Sequence, residues 1–250
     1  MASNPPGSCC VVGVKHEGAP TGSDVKIGKI DAYLAQPEQS KANGAAVLYV
    51  ADVFGIWQNS KLVADQFAAN GYLCVIPDLF NGDQLALDAL EKGFDVMKWI
   101  AQGSNGSNPH TPEAVDKIVV ETLNWLKSEK GITKIAAAGY CFGAKQVARH
   151  VKDGINVGFF AHPSFVTEDE LKAFNVPLSI AAAETDTIFP AELRHKSEVI
   201  LKEKGDPYQI NLYSAVEHGF AVRAELSSKQ ARFAKEAAFA QAVTWFNTWL

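Results

Sequence analysis

The 250-residue chain is 47% hydrophobic and 20% charged, with a formal net charge of −5. That is the balance of an ordinary globular protein, at a length that suits one large α/β domain with a substantial core. The acidic excess argues against a nucleic-acid surface, which needs clustered Lys and Arg, and no run of about 18 apolar residues offers a membrane span.

The N-terminus, MASNPPGSCC, has neither the basic nor the apolar region of a secretory signal, and residue 2 is Ala, so myristoylation is not expected. The C-terminus, NTWL, carries no retention or peroxisomal tag. The default expectation is a cytoplasmic protein, monomer or homodimer.

From about Lys26 the chain alternates strand-like and helix-like segments. VKIGKIDAYLAQP (25–37) has the period-2 pattern of a half-buried strand or hairpin. AAVLYVAD (45–52) is a short apolar run ending in a charge. NSKLVADQFAANG (59–71) has helical spacing, with Asn59 or Ser60 as cap and Gly71 as stop. YLCVIPDL (72–79) reads as a buried strand.

Between Phe80 and Pro112 the pattern weakens. LALDALEKGFDVMKWIA reads as helix and QGSNGSNPHTP as turns, so 80–112 is the expected excursion from the core, a cap or lid. TPEAVDKIVVETLNWLKSEKG (111–131) is a helix with Thr111 as N-cap and Pro112 in its first turn.

KIAAAGY (134–140) is a buried strand leading into the helix FGAKQVARHVKDG. INVGFFAHP (155–163) is a strand, and TEDELKAF a short helix with a Thr167/Glu170 capping box. PLSIAAAETD (177–186) and YQINLYSAVEHG (208–219) are strands that flank the helix FPAELRHKSEVILKEKG. SKQARFAKEAAFAQAVTWFNTWL closes the chain as an amphipathic helix. Strands apolar on both faces, alternating with helices, predict one domain over 1–250. Its fold class is α/β, an open, mostly parallel sheet with helices on both faces.

Gly139-Tyr140-Cys141-Phe142-Gly143 sits between a strand and a helix, the setting of a nucleophile elbow. Glycines there let strand and helix approach closely, and the helix N-terminus favours a thiolate. An elbow needs an acid and then a histidine downstream. Asp186 ends one later strand and His218 follows the next, so all three fall at carboxyl ends of strands, where open α/β sheets form their sites.

His218 is expected to act as base, with Asp186 fixing its tautomer. The main-chain N–H groups of Phe142 and Val53 are the expected oxyanion donors.

His16, His150 and His195 read as solvated. His162 ends a strand and is a candidate lining residue. Cys74 reads as a small buried hydrophobe, and Cys9 and Cys10 as buried or incidental. No cluster has metal-ligand spacing, so no metal is expected.

With these residues in place the chain resembles the dienelactone hydrolase family, over roughly residues 25–250. The resemblance rests on Gly139–Gly143, on Glu184-Thr185-Asp186, on His218-Gly219-Phe220 and on Asp52-Val53-Phe54-Gly55. SCC near the N-terminus and HPSF at 162–165 look like the family's fungal branch.

The resemblance implies an α/β-hydrolase fold, cofactor-free hydrolysis of an ester or enol lactone through an acyl-cysteine, and the same three residues in the same roles. It also implies two departures. The founding members place a glutamate at Asp52, where it contacts the resting cysteine and is displaced by substrate; Asp is one methylene shorter. They also hold a substrate carboxylate with arginines, whereas this chain has only Arg149, Arg194, Arg223 and Arg232. Arg223 is either an anion contact or a solvated side chain, and the natural substrate need not be a dicarboxylate.

Asp52, Trp57, Phe80, Tyr140, His162 and Arg223 are the candidate substrate-binding residues. Carbon–carbon or other acyl hydrolysis on the same residues, and a non-catalytic small-molecule binder, stand as alternatives.

Overall fold

A strand buried at every position belongs in the middle of a sheet covered on both faces. Ala45–Val50 is such a strand, and Ile135–Tyr140 is buried throughout as well. In the computed structural model, which describes residues 1–6, 15–87, 89 and 94–250, these two runs pair in parallel at the centre of an eight-stranded sheet.

The strands are β1 (Ser23–Ile27), β2 (Ile30–Ala35), β3 (Ala45–Val50), β4 (Leu73–Pro77), β5 (Lys134–Tyr140), β6 (Val157–Ala161), β7 (Leu178–Thr185) and β8 (Tyr208–Glu217). Their spatial order is β1-β2-β4-β3-β5-β6-β7-β8. The pairs β1/β2 and β2/β4 are antiparallel and the others parallel. Residues 25–37, open in sequence between strand and hairpin, form the β1–β2 hairpin around Gly28 at φ 56°. Gly is the residue that adopts this conformation without strain.

Alternation along β3 sends Ala46, Leu48 and Val50 to one face and Ala45, Val47 and Tyr49 to the other. The second face is covered by α1 (Gln58–Ala69) and α8 (Lys229–Trp249). The first is covered by α2 (Val96–Gln102), α3 (Pro112–Ser128), α4 (Phe142–His150), α5 (Glu168–Ala173) and α6 (Ala191–Lys204). In α3 the buried Val115, Ile118, Val119, Leu123 and Leu126 make the apolar stripe that docks it. A four-residue helix, α7 (Phe220–Arg223), follows β8.

Some local expectations change. The helix expected over 85–101 is seen only as α2, capped by the Asp95 carboxylate accepting from Lys98 N–H; residues 88 and 90–93 lie outside the described residues. So do Cys9 and Cys10, on which the sequence also made an expectation. α1 starts at Gln58, and Ser60 contributes by accepting the Trp57 N–H at 3.0 Å. Thr111 stands at the N-cap of α3 without a side-chain cap bond. The Thr167/Glu170 capping box forms in both directions, at 2.9 and 3.2 Å.

His16 and His150, expected to be solvated, are buried. The His16 ring meets the Ala224 carbonyl at 2.8 Å, and burial lowers its pKa. The His150 ring lies between Asp153 and Asp116, at 2.7 and 2.9 Å. His195 is exposed, as expected. The His16–Ala224 and His150–Asp116 contacts link residues distant in the chain, which periodicity does not reveal.

At the start of α4 backbone packs directly on backbone. A Cβ on Gly143 would lie 2.0 Å from the Val50 carbonyl oxygen, and one on Gly139 would lie 2.6 Å from Ala144 Cα. Backbone cannot yield there as a flexible side chain would. Gly143→Ala is therefore expected to lower stability by about 2–3 kcal/mol, read as a reduced denaturation midpoint. A midpoint within error of the wild type would contradict this packing.

Candidate functional site

Two register pairs set the site. Tyr140 lies opposite Ala161 at the ends of β5 and β6, and Thr185 lies opposite Glu217 at the ends of β7 and β8. One residue further along each strand stand Cys141 and His162, then Asp186 and His218. Four side chains of chemical interest thus leave the sheet at its carboxyl edge, where open parallel sheets place their sites.

Cys141 occupies the turn between β5 and α4 with φ 51° and ψ −113°. A non-glycine residue in that region costs on the order of 1–3 kcal/mol and persists only where surrounding structure enforces it. Here the enforcement is the contact of Gly139 and Gly143 with neighbouring backbone. The Cys141 N–H donates to the Ala161 carbonyl at 3.1 Å, extending the β5–β6 pairing past its end. The side chain is fully buried.

The His218 Nδ1–H donates to Asp186 Oδ2 at 2.9 Å, since a carboxylate only accepts. Asp186 Oδ1 accepts from the N–H groups of Ile188 and Phe189 at 2.8 and 3.0 Å. Burial works against the Asp186 charge, but His218 and these two amides hold its carboxyl below the usual carboxylate value. Burial likewise works against a charged His218, yet Cys141 and Asp186 together push it up to about 10. The His218 imidazole thus responds both to the Asp186 carboxylate and to the Cys141 sulfur.

Asp52, in the loop after β3, is fully buried and meets Arg223 across 171 positions of chain: Arg223 Nη1 donates to Asp52 Oδ2 at 2.6 Å. Its other oxygen accepts the Phe54 N–H at 3.1 Å. Burial raises Asp52 to about 6, although the guanidinium beside it pulls the other way. Arg223, which the sequence left open between anion contact and solvated side chain, is buried, packs over the Phe54 ring and spends one hydrogen bond on Asp52.

His162 is buried with its ring centroid 4.9 Å from that of His218, in an edge-on arrangement, and its backbone has φ 38°. Among the described residues no partner meets either ring nitrogen in good hydrogen-bond geometry, although Cys141 acts on the ring as a hydrogen-bonding neighbour. Burial drops its pKa to about 4, so near neutral pH the ring is uncharged.

Tyr140 stacks on Tyr49 on the far face of the sheet, with centroids 4.5 Å apart. Phe80 packs on Phe142 at 5.5 Å and on Trp99 at 4.9 Å, and Trp57 leans on Phe54 at 5.2 Å. Phe142 opens α4, so its N–H lacks an intrahelical acceptor. Val53 lies in the loop after β3, whose Val50 and Ala51 carbonyls crowd Gly143. A cleft of about 310 Å³ is lined by residues that include His218, Phe220, Arg223, Glu225 and Ser228.

Sequence reasoning missed Ser164. Its Oγ lies 3.0 Å from Cys141 Sγ, and its N–H donates to the Cys141 carbonyl at 3.1 Å. It also missed the N-terminal residues that hold this turn. Ala2 and Ser3 N–H both donate to the Val166 carbonyl at 2.9 Å, and Asn4 N–H donates to Ile188, next but one to Asp186. The available signal was the position of HPSF just past the strand that neighbours the elbow.

Among the described residues no group of three or more His, Cys, Asp or Glu side chains is arranged to hold a metal, and no helix is long and apolar enough to cross a membrane.

Known proteins agree with this architecture. A family model described as "Dienelactone hydrolase family" matches residues 30–250. Hydrolase pyvD of Aspergillus violaceofuscus is 48% identical, with 100% of this chain and 99% of the relative aligned. "Dienlactone hydrolase 1" of Gibberella moniliformis is 34% identical over 100% of this chain and 96% of its own length. A solved dienelactone hydrolase from Anabaena variabilis shares the fold at a TM-score of 0.64, covering 94% of this chain and all of its own, with 14% identity. A match over nearly the whole sheet, together with these full-length relatives, places the chain in the dienelactone hydrolase family, a family of hydrolases with the α/β-hydrolase fold.

Proposed function

We propose that the protein hydrolyses an ester or enol lactone with Cys141 as nucleophile, His218 as base and Asp186 as the group that orients His218. The observation that carries this reading is the 2.9 Å Asp186–His218 hydrogen bond at the same sheet edge as a cysteine held at positive φ between strand and helix. Family membership supports the reaction class.

The thiolate of Cys141 attacks the acyl carbon while His218 holds the proton. The N–H groups of Phe142 and Val53 receive the developing oxyanion. His218 then protonates the leaving enol or alcohol oxygen, and the acyl group rests on sulfur as a thioester. Water, deprotonated by His218, attacks that thioester; the acid departs and the sulfur returns to its starting state. No cofactor takes part.

Asp52, Trp57, Phe80, His162 and Arg223 form the surroundings of the reacting group, whereas Tyr140, expected from the sequence to join them, is turned to the far face of the sheet against Tyr49. With Arg223 already bound to Asp52, the site favours a neutral or singly charged substrate over a dicarboxylate. Cys141 is buried, so substrate entry requires one wall to move. The segment 80–112 acts as the cap: its Leu85 N–H donates to the Val53 carbonyl at 3.0 Å and Phe80 leans on Phe142.

The test is turnover of p-nitrophenyl esters and simple enol lactones by the purified protein without added cofactor. His218→Ala is expected to lower kcat/KM by about 10³-fold or more. Lactone binding without turnover would mark a binder, and cleavage of a β-diketone with esters untouched would mark a carbon–carbon hydrolase. Either result overturns the ester/lactone reading.

A further inference from the structure

We propose that the Ser164 hydroxyl is a catalytic hydrogen-bond donor to the Cys141 sulfur, holding it as a thiolate aligned for attack. This rests on Cys141 being the nucleophile.

The geometry is direct: Ser164 Oγ lies 3.0 Å from Sγ, and both residues are fully buried, so no water competes for either atom. Chemistry sets the direction of the bond. A thiolate has lone pairs and no hydrogen, whereas a serine hydroxyl has one hydrogen to give. Hydrogen bonds to an ionised partner are about twice as strong as neutral ones.

His218 and His162 also act on the sulfur, and the Ser164 hydroxyl joins them. His218, backed by Asp186, carries the proton; its affinity for that proton is raised to about 10, with Cys141 among the causes. His162 is neutral beside it. Asp52 is a carboxylate whose field opposes a negative sulfur, and Arg223, which offsets that field, is tied to Asp52. A neutral donor at a fixed distance stabilises the thiolate without adding charge that would compete with His218.

The turn is built to fix that distance. Ser164 N–H bonds the Cys141 carbonyl, Phe165 N–H bonds Asn4, and Val166 N–H donates to the Ser3 hydroxyl at 2.9 Å. The residues on either side of Pro163-Ser164, His162 and Phe165, both sit at positive φ (38° and 65°), which aims the serine back at the elbow. In the proposed cycle the donor matters at the two moments when sulfur is charged: before attack, and when the second tetrahedral intermediate expels it.

The experiment is the pH dependence of Cys141 alkylation by iodoacetamide, followed by peptide mapping so that other thiols do not contribute. The wild type is expected to show a midpoint below that of a free thiol. Ser164→Ala should raise it by about one pH unit, a tenfold loss of thiolate on the acid side. Ser164→Thr, which keeps the hydroxyl, should stay near the wild-type midpoint. Ser3→Ala removes a hydroxyl from the same turn without touching the sulfur; it should lower the melting temperature and leave the midpoint alone. Should Ser164→Ala not fold, Ser164→Cys, a weaker donor, takes its place, with a smaller upward shift expected.

A depressed wild-type midpoint that Ser164→Ala leaves unmoved overturns this inference alone, as does an equal shift in Ser3→Ala. A free-thiol profile in the wild type overturns the nucleophile reading and this inference with it.

Discussion

Replacing Cys141 by alanine is expected to reduce kcat/KM for esters and lactones by at least about 10⁴-fold, because in the proposed mechanism nucleophile, base and orienting acid act as a unit and losing the nucleophile removes nearly all they provide together. Stability should change little, or rise slightly. Alanine loses the sulfur but keeps the strained backbone at φ 51°, and the variant no longer has the proposed thiolate to hold in a buried site. The measurement is steady-state kinetics beside thermal melting. Retention of more than a few per cent of activity with Cys141 absent would assign the chemistry to another group.

The second large effect concerns stability. Removing the guanidinium in Arg223→Met leaves the Asp52 carboxylate buried without its partner, and breaking a buried pair from one side typically costs about 3–5 kcal/mol. The penalty should depend on pH. Asp52 is already raised to about 6 by burial, from an ordinary value near 3.8 in the unfolded chain. The native state therefore binds this proton more tightly than the unfolded state, and stability from this group falls as pH rises between those values. Without Arg223 the native pKa climbs further and the falling window extends upward. The gap between variant and wild type is thus expected to be widest near pH 8 and to narrow toward pH 5, read from denaturant midpoints. A gap independent of pH would mean that the guanidinium contributes through packing on Phe54 and not through charge.

Much of this was readable from the chain. β3 and β5 are legible because runs such as AAVLYV and IAAAGY are apolar on both faces, and only a covered parallel sheet uses such strands. The elbow is legible because its demands are local: two glycines where backbone meets backbone, and a cysteine between them. Asp186 and His218 are legible as strand-end residues, and the β7–β8 register shows why they meet: Thr185 pairs with Glu217 one step before each.

What escaped the sequence depends on contacts between distant segments. Ser164 reaches the sulfur only because His162 takes a positive φ, which a β-strand pattern does not forecast. Asp52 and Arg223 lie 171 positions apart, and nothing in either neighbourhood announces the other. Residues 2–4 lack any periodic signal, yet they fasten the turns after β6 and β7 through main-chain bonds together with the Ser3 hydroxyl and the Asn4 side-chain amide. Of the helix expected over 85–101, the described residues show α2, which starts after the Asp95 cap.

In the proposed reaction a substrate's acyl group passes through Cys141. Rapid quenching of the protein with a panel of slowly turned-over esters and lactones, followed by intact-mass and peptide analysis, tests it directly. The expected result is a single acyl increment on the peptide bearing Cys141, absent from Cys141→Ala and persistent in a variant that deacylates slowly. An increment on a serine or another cysteine, or turnover with Cys141 never modified, would contradict it.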